Sequence, residues 1–339
     1  MSTSGSSEVF EAGDVQLQSG LTLPAVQLAY ETFGALNEQR DNAIVYPTRF
    51  GGTHVDNRYL IGPGMALDPA RYYIVVPDML GNGESTSPSN AAEALRGGRF
   101  PLTTIHDNVR LQHRLLTEHL GVREIALTVG WSMGGQQAYE WAALYPEMVR
   151  RLAVICGAAR TAPHTHVFLE GVKAALTSDP EWSRPGAYPE SGFRTLGRVW
   201  AGWALSQAWY REHRYRELGY SSVEDFLCRY WEAIYLARDA ANMVAMMHTW
   251  QAHDISANER FGGDYEAAMR AISADAVIMP GRTDLYFPPE DSAAEVQMLA
   301  RGRLAVIESV WGHYAGGGRN AADTAHIDTE LRALLNRGQ

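Results

Sequence analysis

The sequence is poor in cysteine, in long apolar runs and in positive charge, and each shortage removes a class of protein. Two cysteines, Cys156 and Cys228, occur among 339 residues. They stand far apart in otherwise apolar segments, which fits two buried free thiols better than a disulfide framework or a metal cluster. No apolar run approaches the roughly 20 residues that a membrane-spanning helix needs. The opening "MSTSGSSEVFEAGD" has no basic stretch followed by an apolar one, so it does not read as a secretory signal. Its first few residues are expected to be disordered and the protein cytoplasmic. Lys and Arg number 29 against 39 Asp and Glu, a formal charge of −10. That balance argues against nucleic acid or an anionic membrane surface as a partner.

What is present suits an ordinary globular chain, with 46% hydrophobic and 20% charged residues. The length allows one large α/β domain with an insertion, or two domains. "VQLQSGLTLPAVQLAYETFG" alternates and turns at Ser19-Gly20, which predicts an opening antiparallel hairpin. Short runs that are apolar on both faces follow: "NAIVYP" (42–47), "YYIVVPD" (72–78), "EIALTVGW" (124–131), "RLAVICG" (151–157), "ADAVIMPG" (274–281) and "LAVIES" (304–309). Such runs belong in a buried parallel sheet. Helical periodicity at 103–121, between a Thr start and a Gly stop, and at 132–147 completes a βαβ alternation. The fold class is therefore α/β, a doubly wound and mostly parallel sheet.

The alternation breaks between 158 and 270. That segment is rich in Trp, Tyr and Met and has helical spacing without a strand-like run. It reads as a helical lid insertion, with 1–157 and 271–339 forming the core. Its aromatics suit core packing, while some of them can line a pocket or a dimer surface.

The chemistry gathers at three turns. Gly130-Trp131-Ser132-Met133-Gly134-Gly135 joins a strand to a helix, the context in which G-x-S-x-G presents a nucleophilic serine. Glycines on both sides let the chain turn sharply enough to expose the Ser132 hydroxyl at the carboxyl edge of the sheet. A serine needs a base, and the base needs an orienting acid. Asp284 in "RTDLYFPPED" and His313 in "VWGHYAGGG" each follow a strand, on the same edge as Ser132. Asp275 begins a strand at the opposite edge, and Asp291 sits in the opening turn of a helix. His106, His113 and His119 share one helix and suit packing or surface roles. His164 and His166 lack a third ligand at metal-site spacing. The oxyanion hole would use the backbone N–H of Met133 and that of Arg49, in the loop "TRFGGTHVDN". Phe50, Gly51, Gly52 and Tyr314 are candidates for the substrate pocket. The glycine-rich pieces "IGPGMAL" and "LGNGEST" lack a phosphate-loop lysine or a dinucleotide fingerprint and read as turns.

With these motifs the sequence resembles the homoserine acetyltransferase family of α/β-hydrolases. The likeness runs from "YETFGALNEQRDNAIVYPT" to "WGHYAGG" and is strongest at "WSMGGQQAYEWAALYPEMVRRL", "LTSDPEW", "DLYFPPED" and "WGH". It implies a Ser-Asp-His triad at Ser132, Asp284 and His313, an acyl-serine intermediate, and a homodimer joined through the helical insertion. The family's transferases carry Asp directly after the catalytic His, to hold the amino group of homoserine. Here that residue is Tyr314, and a neutral phenol cannot give an ammonium group its full counter-charge. The early loop also differs, reading "RFGGTH" where the family has L-T-G-D-S-H. The chain therefore looks nearer a branch of small-ester or amide hydrolases. The expected function is cofactor-free hydrolysis of a small ester or amide. The alternative is acyl transfer to an alcohol other than homoserine, with acetyl-CoA as co-substrate. A binding protein without catalysis is disfavoured by three intact motifs.

Overall fold

The computed structural model describes residues 6–184 and 186–337 of the chain. The expectation of disorder for the first few residues falls on 1–5, outside that range, and from Ser6 onward the chain is already in a strand. Eight strands form one sheet. They are β1 (Ser6–Gln16), β2 (Thr22–Phe33), β3 (Ala43–Val45), β4 (Tyr73–Pro77), β5 (Ile125–Trp131), β6 (Arg151–Ile155), β7 (Asp275–Met279) and β8 (Gly302–Leu304). Their spatial order is β1-β2-β4-β3-β5-β6-β7-β8. The hairpin β1–β2 is antiparallel, as is the β2–β4 pair, and every remaining pair is parallel. All seven residues of β5 are buried, the pattern of a central strand covered on both faces.

Helices cover the sheet. In α1 (Ile105–Arg114), Thr104 and Asp107 form a reciprocal capping box, which satisfies two N–H groups that the first turn leaves open. One π-turn later the segment stops at Gly121, whose φ of +70° suits glycine. Thus the predicted start and stop are both used. The next helix, α2 (Met133–Leu144), is buried along its whole length.

Between β6 and β7 the described residues form helices, with no strand. They are α3 (Pro163–Thr177), α4 (Glu190–Ala204), α5 (Gln207–Arg211), α6 (Val223–Phe226), α7 (Ala233–Leu236), α8 (Ala240–Gln251) and α9 (Tyr265–Ala271). Phe193, Trp209, Phe226 and Trp231 are fully buried there, so much of the aromatic excess is packing. Helix α10 (Pro289–Met298) follows β7, and α11 (Ala321–Leu335) follows β8.

Two expectations are corrected. The last strand lies at Gly302–Leu304, where 304–309 was predicted. Pairing weakens into single hydrogen bonds from Ala305 N to Ile278 O and from Ile307 N to Pro280 O. β8 is the sheet's last strand and its own side chains are only partly covered, so apolarity alone misplaces it. Cys228 is exposed, not buried. It sits one turn from Glu224 and Glu232, beside Arg198, among charged side chains.

β3 lies between β4, which follows it, and β5, so the winding direction of the sheet reverses there. Crevices form beyond the carboxyl ends of strands at such a switch point. The loops after β3, β5, β7 and β8 all open onto that edge.

Candidate active site

Ser132 is the residue between β5 and α2, and its backbone is held at φ 60°, ψ −128°. An L-residue adopts that conformation only under constraint. Here Ser132 N donates to Ile155 O at 2.9 Å, and Gln136 N donates to Ser132 O at 3.1 Å. The flanking glycines are sterically required. A Cβ on Gly130 would lie 2.1 Å from the backbone of Gly134, and one on Gly134 would lie 2.5 Å from Pro47 O. The tight turn therefore needs both glycines.

The structure brings Ser132, His313 and Asp284 together. His313 Nε2 lies 2.9 Å from Ser132 Oγ, and His313 Nδ1 lies 2.7 Å from Asp284 Oδ2. The other carboxylate oxygen, Oδ1, accepts from Tyr286 N at 2.8 Å and Phe287 N at 3.3 Å. All three side chains are buried. Trp131 supports the imidazole from beneath, with ring centroids 5.2 Å apart, and its Nε1 donates to His313 O at 3.2 Å. Gly312 has φ +58°, and a Cβ there would meet Ala204 O at 2.6 Å. Gly312 N also donates to Thr283 Oγ1 at 3.1 Å, tying the histidine loop to the aspartate loop. Such an arrangement can activate a hydroxyl, because the acid fixes which imidazole nitrogen faces it.

The rival acids lie elsewhere. Asp275 starts β7 and pairs with Arg301 at 3.1 Å, and Asp291 is in the first turn of α10. His106 faces Glu140 at 2.9 Å, His113 stacks on Tyr145, and His119 packs against Phe10. His164 rests on Trp203, and His166 lies 3.8 Å from Glu170. Cys156 has a place the sequence did not suggest. Its Sγ, an Asp284 oxygen and a His313 nitrogen all lie within 4.8 Å of one another. Burial, and then the Asp284 charge, push this thiol well above its usual range. It stays protonated, a neutral filler behind the acid.

The loop after β3 carries Arg49 and is fastened on both sides. Asn57 Nδ2 donates to Tyr46 O at 2.9 Å and Pro47 O at 3.2 Å, and Gln137 Nε2 donates to Thr48 O at 2.9 Å. Asn82 Nδ2 donates to Gly52 O at 3.0 Å. Asn82 also holds Asp78, whose carboxylate faces His54 Nδ1 at 2.5 Å. The N–H of Met133 is in the first turn of α2, where no intrahelical acceptor exists. These anchoring residues escaped sequence reasoning, because each is a single polar side chain reaching a distant backbone atom.

A cavity of about 400 Å³ opens beside Ser132 and His313. Phe50, Gly51 and Tyr314 are among its lining residues, and Gly52 is not. Phe50 stacks on Trp200 at 5.0 Å and 14°, with Trp250 at 5.9 Å. Tyr286, next but one to Asp284, stands against His313 at 4.9 Å. Tyr314 lies parallel to Trp231 at 5.7 Å, and its hydroxyl is 3.4 Å from that of Tyr230. The walls from α4, α7 and α8 were foreseen only as a class, since helical spacing does not tell a lining aromatic from a packed one. The Arg49 side chain also lines the cavity, lying over the Trp131 ring at 5.2 Å and 3.3 Å from Asp56.

Comparison with known proteins finds similarity along nearly the whole chain. The family described as the alpha/beta hydrolase fold matches residues 43–316. An ethyl acetate hydrolase of Pseudomonas veronii is 35% identical over 338 residues, covering 98% of this chain and 96% of that protein. The crystal structure of an acetylester hydrolase from Corynebacterium glutamicum gives a TM-score of 0.93 at 33% identity, covering 97% of this chain and 96% of that one. A homoserine O-acetyltransferase of Thermobifida fusca is 35% identical over 336 residues, covering 88% of this chain and 86% of that protein.

Proposed function

The chain belongs to the α/β-hydrolase fold family, and on that premise we propose that it hydrolyses small carboxylic esters, acetate esters foremost, through an acyl-Ser132 intermediate. The observation that carries the reading is the relay from Asp284 through His313 to Ser132, opening on an aromatic-walled cavity. The relatives that hydrolyse ethyl acetate and acetyl esters support the ester class. His313 takes the Ser132 proton as the hydroxyl attacks the carbonyl carbon, and Asp284 steadies the imidazolium that forms. The tetrahedral oxyanion is received by the N–H groups of Met133 and Arg49, each worth about 3–4 kcal/mol of transition-state stabilisation. His313 then returns the proton to the departing alkoxide. Water, deprotonated by the same imidazole, attacks the acyl-serine and frees the acid.

No step of this cycle draws on a cofactor. Acyl transfer would differ only in the second attack, with an alcohol in place of water. Tyr314 weighs against homoserine as that alcohol, since burial pushes its phenol well above the usual range and leaves no anion for an ammonium group. A homodimer joined through the segment between β6 and β7, and a cytoplasmic location, are further parts of the proposal. Incubation with p-nitrophenyl acetate, ethyl acetate and acetyl-CoA, each with and without added alcohols, tests it. Both esters should be cleaved without an acceptor. Thioester consumption that depends strictly on an alcohol, with the plain esters untouched, would overturn hydrolysis.

A further inference from the structure

The two ends of the cavity differ in chemistry. Phe50, Trp200, Trp250 and Tyr286 make the deep end, each at least nine-tenths buried, and this box suits a short apolar acyl chain. The outer end is cationic. Arg49, Arg238 and Arg319 line the cavity, and Asp56 is the only carboxylate beside them among the described lining residues. Asp56 is already engaged with Arg49 at 3.3 Å. Arg238 and Arg319 make no ion pair among the described residues, and Arg319 lies over the Tyr230 ring at 5.8 Å. This positive mouth belongs to a chain whose formal charge is −10, so it is a local feature and not a reflection of overall composition.

Neutral donors accompany the arginines. The hydroxyls of Tyr230 and Tyr314 lie 3.4 Å apart at the same end. Tyr235 joins them, and burial raises the pKa of Tyr235 and Tyr314 well above the ordinary phenol range. Protonated phenols and guanidinium groups are donors suited to carboxylate or phosphate oxygens. The position of this end assigns the half of the substrate it meets. The alcohol half leaves first and must exit toward solvent, so it faces the half-exposed and exposed arginines while the acyl half occupies the aromatic box.

We propose that the outer end of the cavity recognises an anionic group, carboxylate or phosphate, on the leaving half of a small-acyl ester. This rests on the hydrolase reading above and names the substrate class within it. The cationic mouth also disfavours ammonium-bearing alcohols by repulsion.

4-Acetoxybenzoate and 4-acetoxybenzamide test it, because their leaving phenols have the same shape and differ by one charge. The wild type should prefer the carboxylate, and the Arg238→Gln/Arg319→Gln variant should lose about tenfold of that preference in kcat/KM. Raising ionic strength should shrink the wild-type preference in the same direction, a check that needs no folded variant. Acetyl-CoA forms a third arm. Its cleavage, if reduced in the double variant while the benzoate-to-benzamide ratio is unchanged, identifies the anion as phosphate. A preference insensitive to both substitution and salt in all arms overturns the proposal while leaving ester hydrolysis intact. Calorimetric binding of 4-hydroxybenzoate and 4-hydroxybenzamide to the same two proteins needs no turnover. Arginine-dependent binding without any ester cleavage would retain the anion site and reject the hydrolase, whereas equal binding of both ligands without cleavage would reject both.

Discussion

The carboxyl edge of the sheet and the helical segment between β6 and β7 meet at one cavity, yet they contribute by different means. The sheet edge places Ser132, Asp284 and His313 through backbone. Ser132 is held at φ 60°, glycines stand where a Cβ would meet main chain, and the loops after β7 and β8 are tied by the bond from Gly312 N to Thr283. The helical segment contributes side chains on helix faces, such as Trp200, Tyr235 and Trp250, with Trp200 packed at a tilt against the other two rings. A site fixed by backbone tolerates few substitutions, whereas a wall of side chains can be altered one residue at a time. The comparison assigns reaction chemistry to the sheet edge, and substrate choice to the helices together with side chains such as Phe50, Tyr286 and Arg319 that the sheet-edge loops supply.

Three substitutions can break or sharpen that division. Ser132→Ala should lower kcat by about 10⁶ in a protein that still folds, measured with p-nitrophenyl acetate beside a thermal melt. Retained turnover would remove the sheet edge from the chemistry. Glu295 probes the seam between the two regions. From α10 it accepts Ala159 N at 2.8 Å, where the helical segment begins, and the hydroxyls of Tyr139 at 3.0 Å and Tyr265 at 3.2 Å. Burial raises its pKa from 4.5 to about 7. Because the folded value exceeds the unfolded one, the stability it confers is complete below the unfolded pKa and is lost as pH rises through 7. Glu295→Gln stays neutral and should gain on the wild type by about 2–3 kcal/mol between pH 5 and pH 8. Urea midpoints at the two pH values measure this, and a constant difference would refute it. Trp200→Leu should enlarge the deep end and raise the butyrate-to-acetate ratio of kcat/KM about tenfold, with acetate turnover persisting. If turnover collapses for both esters, the helical wall serves chemistry as well as choice.

The same contrast explains what could be read from the sequence. The parallel strands were legible because burial on both faces leaves uninterrupted apolar runs, as in "IALTVGW". The three turns were legible because a nucleophile elbow demands glycines at fixed spacing and because parallel strands end on one edge. β8 was displaced because an edge strand with partly covered side chains lacks that apolar signature. Cys228 was misjudged because apolar neighbours on a helix surround only one of its faces. Asn57, Gln137, His54 and Asp78, which brace the Arg49 loop, left no trace, since long-range polar contacts have no period.

The hydrogen bond between Ser132 and His313 spans 181 positions, with the whole helical segment synthesised in between. A growing chain emerges from its N-terminus at roughly 5–20 residues per second, so the nucleophile is synthesised well before its base exists. On the proposed mechanism the serine stays chemically silent through most of translation and acquires its partner only when the last strand and its loop dock. Esterase activity would then report completion of the fold itself, and a chain halted before β8 would present the nucleophile without the means to use it.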